Sequence, residues 1–214
     1  MARTVCKTVY QFHELSDRAK ENAREWYRIH GMFEEWYDYT LEAAKEAGAY
    51  LGIEIDQIYF TGFSCQGDGA CFTGHYRYRP GWRKDLRADF GGSLLEPVEA
   101  IGDTLQEIQG RFFYGLEANI SHSGNYCHEY TMDVETDFEG APNGADCGWW
   151  SDRGDEAHEA LNEAMRTFAR WIYTLLSDEY EYLTSDEAVD ETIEANCWEF
   201  NEDGTIHHER SKAA

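Results

Sequence analysis

With 42 Asp and Glu against 18 Lys and Arg, a formal net charge of −24 over 214 residues, this chain repels nucleic acid and anionic membranes and attracts basic surfaces. Its 14 Tyr, 11 Phe and 7 Trp exclude the disordered acidic tail that charge alone would suggest, because they supply the apolar mass of a packed core. The length fits one large domain that needs no metal or disulfide staple.

The first strand is expected within residues 3–12, where Val5, Lys7 and Val9 alternate with Cys6, Thr8 and Tyr10. Ser16 then caps a helix running to about His30, stopped by Gly31, and a second helix spans about Phe33 to Leu51. Ile53 to Phe63 and Cys71 to Tyr78 read as a hairpin turning at Gln66-Gly67-Asp68-Gly69. Pro80-Gly81 breaks the chain before a helix from about Leu95 to Gln109. A second hairpin is expected from strands around Leu116–Ile120 and Tyr126–Val134, joined by a tight turn at Ser123-Gly124-Asn125. Residues 139–150 read as a loop. Asp155 to Leu183 carries a continuous apolar stripe and is the strongest helix signal. A short helix from Ser185 to Asn196 and a small hairpin from Cys197 to Ile206 close the chain. Hairpins separated by helices give an α+β fold, an antiparallel sheet with helices packed on one face. Residues 1–206 are expected to form a single domain and 207–214 a tail.

No apolar run approaches the ~18 residues of a membrane span. The opening residues lack the apolar stretch of a signal peptide, so a cytoplasmic setting is expected, with six reduced cysteines. No nucleophile elbow, zinc-protease helix or dinucleotide fingerprint is present. The reading therefore assigns no catalytic residue, no cofactor and no metal, and leans away from an enzyme. Three features remain. The first hairpin turn offers a ligand site built from Cys65, Gln66, Asp68, Cys71 and His75, for a small ligand, a metal or a reaction; turn chemistry alone also accounts for the motif. Cys65 and Cys71 flank that turn and face each other across it if it is tight. His122 and Cys127 converge on a zinc ion if the second hairpin brings them together, but their spacing matches no standard signature, and ordinary sheet residues are the favoured reading.

The third feature is the charge. Residues 151–203 hold 16 acids and 3 bases. A merely solvated helix mixes signs into i,i+4 pairs, whereas this one tolerates self-repulsion; charge that serves only solubility or a saline environment is the alternative reading. Glu159, Glu163, Asp186, Glu187, Asp190, Glu191 and Glu194 are the expected contacts for a basic partner. Duplex DNA presents one negative charge per ~1.7 Å, and helical rows of carboxylates can take its place in a basic channel.

Tyr10-x-Phe12-x-Glu14-Leu15-Ser16, the stretch Gly62-Phe63-x-x-Gln66-Gly67-Asp68-Gly69-Ala70-x-Phe72, and Tyr182-Leu183-Thr184-Ser185-Asp186 together resemble a family of acidic proteins of tailed bacteriophages. The resemblance implies a phage origin and a host-cytoplasm setting, and brings no catalytic residues. Ser64-Cys65 and Cys71 depart from its pattern. By analogy with small acidic phage proteins, the expected role is inhibition of a host nucleic-acid-binding defence system, of the CRISPR or restriction type, by DNA mimicry or by covering a basic surface.

Overall fold

The computed structural model describes residues 6–138 and 148–207. The chain gathers into two compact units. One joins the residues up to Trp36 to those from Asp178 onward, and the other comprises Tyr37–Ser177.

The terminal unit is built on two short amphipathic helices, α1 (Asp17–Trp26) and, in the C-terminal segment, a helix at Asp186–Ala195. Both begin as expected. The Ser16 hydroxyl accepts from the Ala19 amide and the Ser185 hydroxyl from the Ala188 amide, so each cap satisfies a donor the first turn leaves open. A π-helical turn, Tyr27–Gly31, extends α1. Phe12, Leu15, Ala19, Ala23, Tyr27, Val189, Ile193 and Phe200 form one buried core. The Trp26 and Trp198 rings meet edge to face at 5.3 Å against it.

The first strand is much shorter than expected. Among the described residues of that stretch only Tyr10–Gln11 (β1) pairs, with Glu199–Phe200, while residues 6–9 have no regular structure. The expected C-terminal hairpin is present: Phe200 bridges to Ile206, and the Asn201 amide donates to the Thr205 carbonyl. Ordered backbone pairing reaches His207, whose amide donates to Glu199. The rest of the expected tail lies outside the described residues.

The central unit holds α2 (Asp38–Leu51), β2 (Ile53–Phe60), β3 (Ala70–Arg77), α3 (Trp82–Asp89), α4 (Leu95–Arg111), β4 (Leu116–His122), β5 (Met132–Phe138) and α5 (Gly148–Leu183) as far as Ser177. Trp36 and Tyr37 precede α2 rather than lying within it. The strands form an antiparallel sheet in the order β2-β3-β4-β5. Alternation fixes the two faces. Ile58, Phe72, Tyr76, Ala118, Ile120 and Val134 are buried. Phe72 meets Phe168 of α5 edge to face, and Tyr76 meets Gln109 of α4. Glu54, Gln57, Asn119, Ser121, Asp133, Glu135 and Asp137 are exposed on the other side. The fold is therefore α+β. β2 changes phase midway, because a bulge between Ile55 and Gln57 inserts Asp56 and returns Ile58 to the core.

Two contacts lock the helices to this sheet. Gln109, fully buried, donates to the Leu116 carbonyl at 2.7 Å and accepts from the Leu116 amide at 3.1 Å, so one side chain pins α4 to the start of β4. Trp82, on a helix the sequence reading missed, packs flat over Gly102, where an added Cβ would lie 2.4 Å from its ring. Its indole N–H donates to Gln106. The locally basic stretch around α3 is neutralised: Arg77 pairs with Glu117, Arg79 with Asp85, Arg83 with Asp103 and Arg87 with Glu99. No described helix is long and apolar enough to cross a membrane.

Candidate functional site

The first hairpin does not turn at Asp68-Gly69. Residues 61–69 form a wider loop, and the left-handed residue is Gly67, at φ +110°. Asp68 organises that loop. Its carboxylate accepts from the Cys65 amide at 2.7 Å and the Ser64 amide at 2.9 Å, and these donors hold its pKa below the ordinary value. Phe63 stacks on Tyr173 of α5, whose hydroxyl donates to the Gly62 carbonyl. The motif's aspartate is thus engaged with its own backbone.

Of the five residues expected to share a ligand site at this hairpin, Cys65, Gln66 and Asp68 lie on the loop, while Cys71 and His75 lie on β3. Cys65 is exposed on the loop and Cys71 is buried on β3; both are free thiols. His75 lies four residues beyond Cys71, about 13 Å along the strand, with its Nε2 3.9 Å from Glu117.

Cys71 instead belongs to a different group. The tight turn expected at Ser123-Gly124-Asn125 is absent. β5 begins only at Met132, and residues 123–131 fold back as a longer connection ending in a 3-10 turn, Glu129–Thr131. Cys127 and His128 are therefore loop residues. The connection brings Cys127 to Cys71 and His122, with one ligand atom from each within 4.8 Å of the others. Burial pushes the Cys71 thiol up to about 11. The Thr131 hydroxyl donates to the His128 carbonyl at 2.7 Å, while the carbonyl of Thr131 lies 3.3 Å from His122 Nδ1. The His122 ring also stacks against Tyr59, 5.1 Å between centroids. Gly69, last residue of the Gln-Gly-Asp-Gly motif, makes room for this connection: a Cβ there would come within 2.9 Å of the His128 ring and 3.2 Å of the Cys127 carbonyl.

The expected acidic contacts fall into two sets. Glu159 and Glu163 lie in the central unit, and Asp186, Glu187, Asp190, Glu191 and Glu194 in the terminal one. Three of the seven have internal partners. The Arg24 guanidinium binds Asp190 through two bonds of 2.7 Å, which raise its pKa, and also approaches Asp186. Arg28 bonds Asp186 at 2.5 Å. Arg170 bonds Glu163 at 2.5 Å. Glu187, Glu191 and Glu194 remain exposed along one side of their helix.

A further acidic set escaped the sequence reading. On the open face of the sheet, β5 presents Asp133, Glu135 and Asp137 at alternate positions, roughly 7 Å apart. Their cross-strand neighbours on β4 are Ser121, Asn119 and Glu117. Among the described residues no Lys or Arg pairs with any of the three. Glu54 and Asp56 are also exposed, on β2. The signal lay in the alternation Met132-Asp133-Val134-Glu135-Thr136-Asp137, a polar face on a strand whose other face is core.

Residues 36–186 match the family model described as Domain of unknown function (DUF8835). The chain belongs to this family. The DUF8835 span takes in the whole central unit, so the sheet, the Asp68 loop and the Cys71–His122–Cys127 group all lie within it. No curated protein and no solved structure matches the chain.

Proposed function

We propose that this is a non-enzymatic phage protein that inhibits a host nucleic-acid-binding defence effector by covering its basic surface in the host cytoplasm, and that the open sheet face makes the contact. The observation supporting this reading is the unpaired row Asp133, Glu135 and Asp137. Among the described residues its carboxylates have no arginine or lysine partner, and Glu117 of β4 stands opposite Asp137. Directly opposed acids such as Glu117 and Asp137 cost stability. A cationic partner surface removes that repulsion and gains from it. The row is sparser than duplex phosphate, which carries one charge per ~1.7 Å. The geometry therefore favours covering a basic surface over imitating DNA phosphate by phosphate. The exposed Glu187, Glu191 and Glu194 offer a second acidic surface on the terminal unit.

The test is DNA cleavage by purified restriction and CRISPR effectors with and without the chain, at low and high salt. Inhibition that is strong at low salt, weak at high salt and lost in Asp133→Lys/Glu135→Lys/Asp137→Lys supports the proposal. Absence of inhibition across the effectors at low salt overturns the inhibitor reading, and inhibition unchanged by the triple reversal overturns the assignment of the face.

A further inference from the structure

We propose that Cys71, His122 and Cys127 form a binding site for a tetrahedral ion of the zinc class, held by two thiolates and one imidazole, with the fourth position left to water or an exogenous ligand. The donor set makes the first argument. Two sulfurs and one ring nitrogen select a borderline-soft ion such as Zn²⁺ over the oxygen-seeking Mg²⁺ and Ca²⁺. Three protein ligands and an open position is a recognised zinc arrangement. With Zn–S near 2.3 Å and Zn–N near 2.0 Å, tetrahedral donors lie roughly 3.5–3.8 Å apart. The three atoms already lie within 4.8 Å of one another, and Cys127, half-buried on the connection, has room to close the remainder.

The surroundings make the second argument. His122 Nδ1 lies 3.1 Å from the Thr131 hydroxyl and 3.3 Å from the Thr131 carbonyl, contacts that hold the ring's orientation as outer partners do for a metal-bound histidine. His128, the other imidazole on the connection, is turned to Glu129, 2.9 Å from its carboxylate.

The charges balance. Each thiol releases its proton to solvent as its sulfur binds, and two thiolates neutralise a divalent ion in a pocket whose deepest ligand is fully buried. Proton competition makes affinity fall as pH falls. The same bonds tie β3 to the connection between β4 and β5, with Gly69 providing the clearance.

The test uses the full chain, reduced and stripped with a chelator, titrated with Co²⁺ and then Zn²⁺. The expected result is one equivalent of cobalt, with thiolate-to-metal charge transfer in the near ultraviolet and the visible bands of tetrahedral coordination, both abolished by zinc. Cys127→Ser and His122→Gln each weaken binding at least about tenfold, the scale of losing even an outer-shell partner; Cys65→Ser leaves it unchanged. Gly69→Ala, whose methyl would press on the His128 ring and the Cys127 backbone rather than on a ligand atom, also weakens it by displacing the connection. Because Cys71→Ser strikes the core, the half-buried Cys127→Ser decides, with circular dichroism confirming its fold. Failure of the reduced chain to take up one equivalent of either metal, or uptake undiminished in folded Cys127→Ser, overturns the proposal.

Discussion

The acids of the C-terminal helix, Asp186–Ala195, and those of β5 are charged to similar degrees in sequence yet differ in their surroundings. The helix contains a dense acidic run, but Arg24 and Arg28 reach across from α1 to Asp190 and Asp186, more than 150 positions away in sequence. β5 holds only three acids, alternating with core residues, and none has a cationic partner among the described residues. Charge density along a chain therefore says little about charge on a surface. What counts is whether folding brings a base to the acid. The helix spends part of its charge on holding the terminal unit together, while β5 leaves its charge to solvent.

Removing the guanidinium that binds the helix should give the largest effect. Arg24→Ala leaves Asp190, whose side chain is 30% exposed, without its bidentate partner, and is expected to destabilise by about 1–3 kcal/mol in thermal unfolding. The loss should appear as faster hydrogen exchange in α1 and the C-terminal helix. Neutralising β5 should do the opposite. Asp133→Asn/Glu135→Gln/Asp137→Asn is expected to raise stability by about 0.2–1 kcal/mol, the scale of cross-strand like-charge repulsion. A loss of stability there would mean that those acids have partners. Added salt separates the two regions further. It should stabilise the wild type by screening β5, and the gain should shrink in the neutralised variant.

The element types were largely legible. Serine caps and 3.6-residue periodicity located both helices of the terminal unit, and alternation located three central strands and the first residues of the fourth, whose expected start at Tyr126 falls in the connection before Met132. Errors fell where a non-local contact decides. The first strand shortened because only Tyr10 and Gln11 find a partner, and α3 went unseen because its apolar content is one tryptophan buried over Gly102. The Cys71–His122–Cys127 group was half legible: His122 and Cys127 were considered together, with ordinary sheet residues favoured, but Cys71 was grouped with the first hairpin turn. No spacing rule reveals that a connection folds back over Gly69. The Gln-Gly-Asp-Gly motif attracted notice through its composition, yet its aspartate serves the backbone.

That last point carries the smallest effect. The donors to Asp68 depress its pKa, so its contribution is complete above the ordinary value of 3.8 and is lost as pH falls through the lower folded value. Exchange at the Ser64 and Cys65 amides should quicken only in that acid range, and Asp68→Ala should quicken it at neutral pH. Equal protection in the variant would show that the carboxylate does not organise the loop.

The central claim rests on which acids meet the partner. The most direct measurement compares two charge reversals in one assay of effector-catalysed DNA cleavage: Asp133→Lys/Glu135→Lys/Asp137→Lys on the sheet, and Glu187→Lys/Glu191→Lys/Glu194→Lys on the helix. The account predicts that the sheet variant, folded and stable, loses inhibition while the helix variant keeps most of it. Inhibition retained by the sheet variant and lost by the helix variant would contradict it.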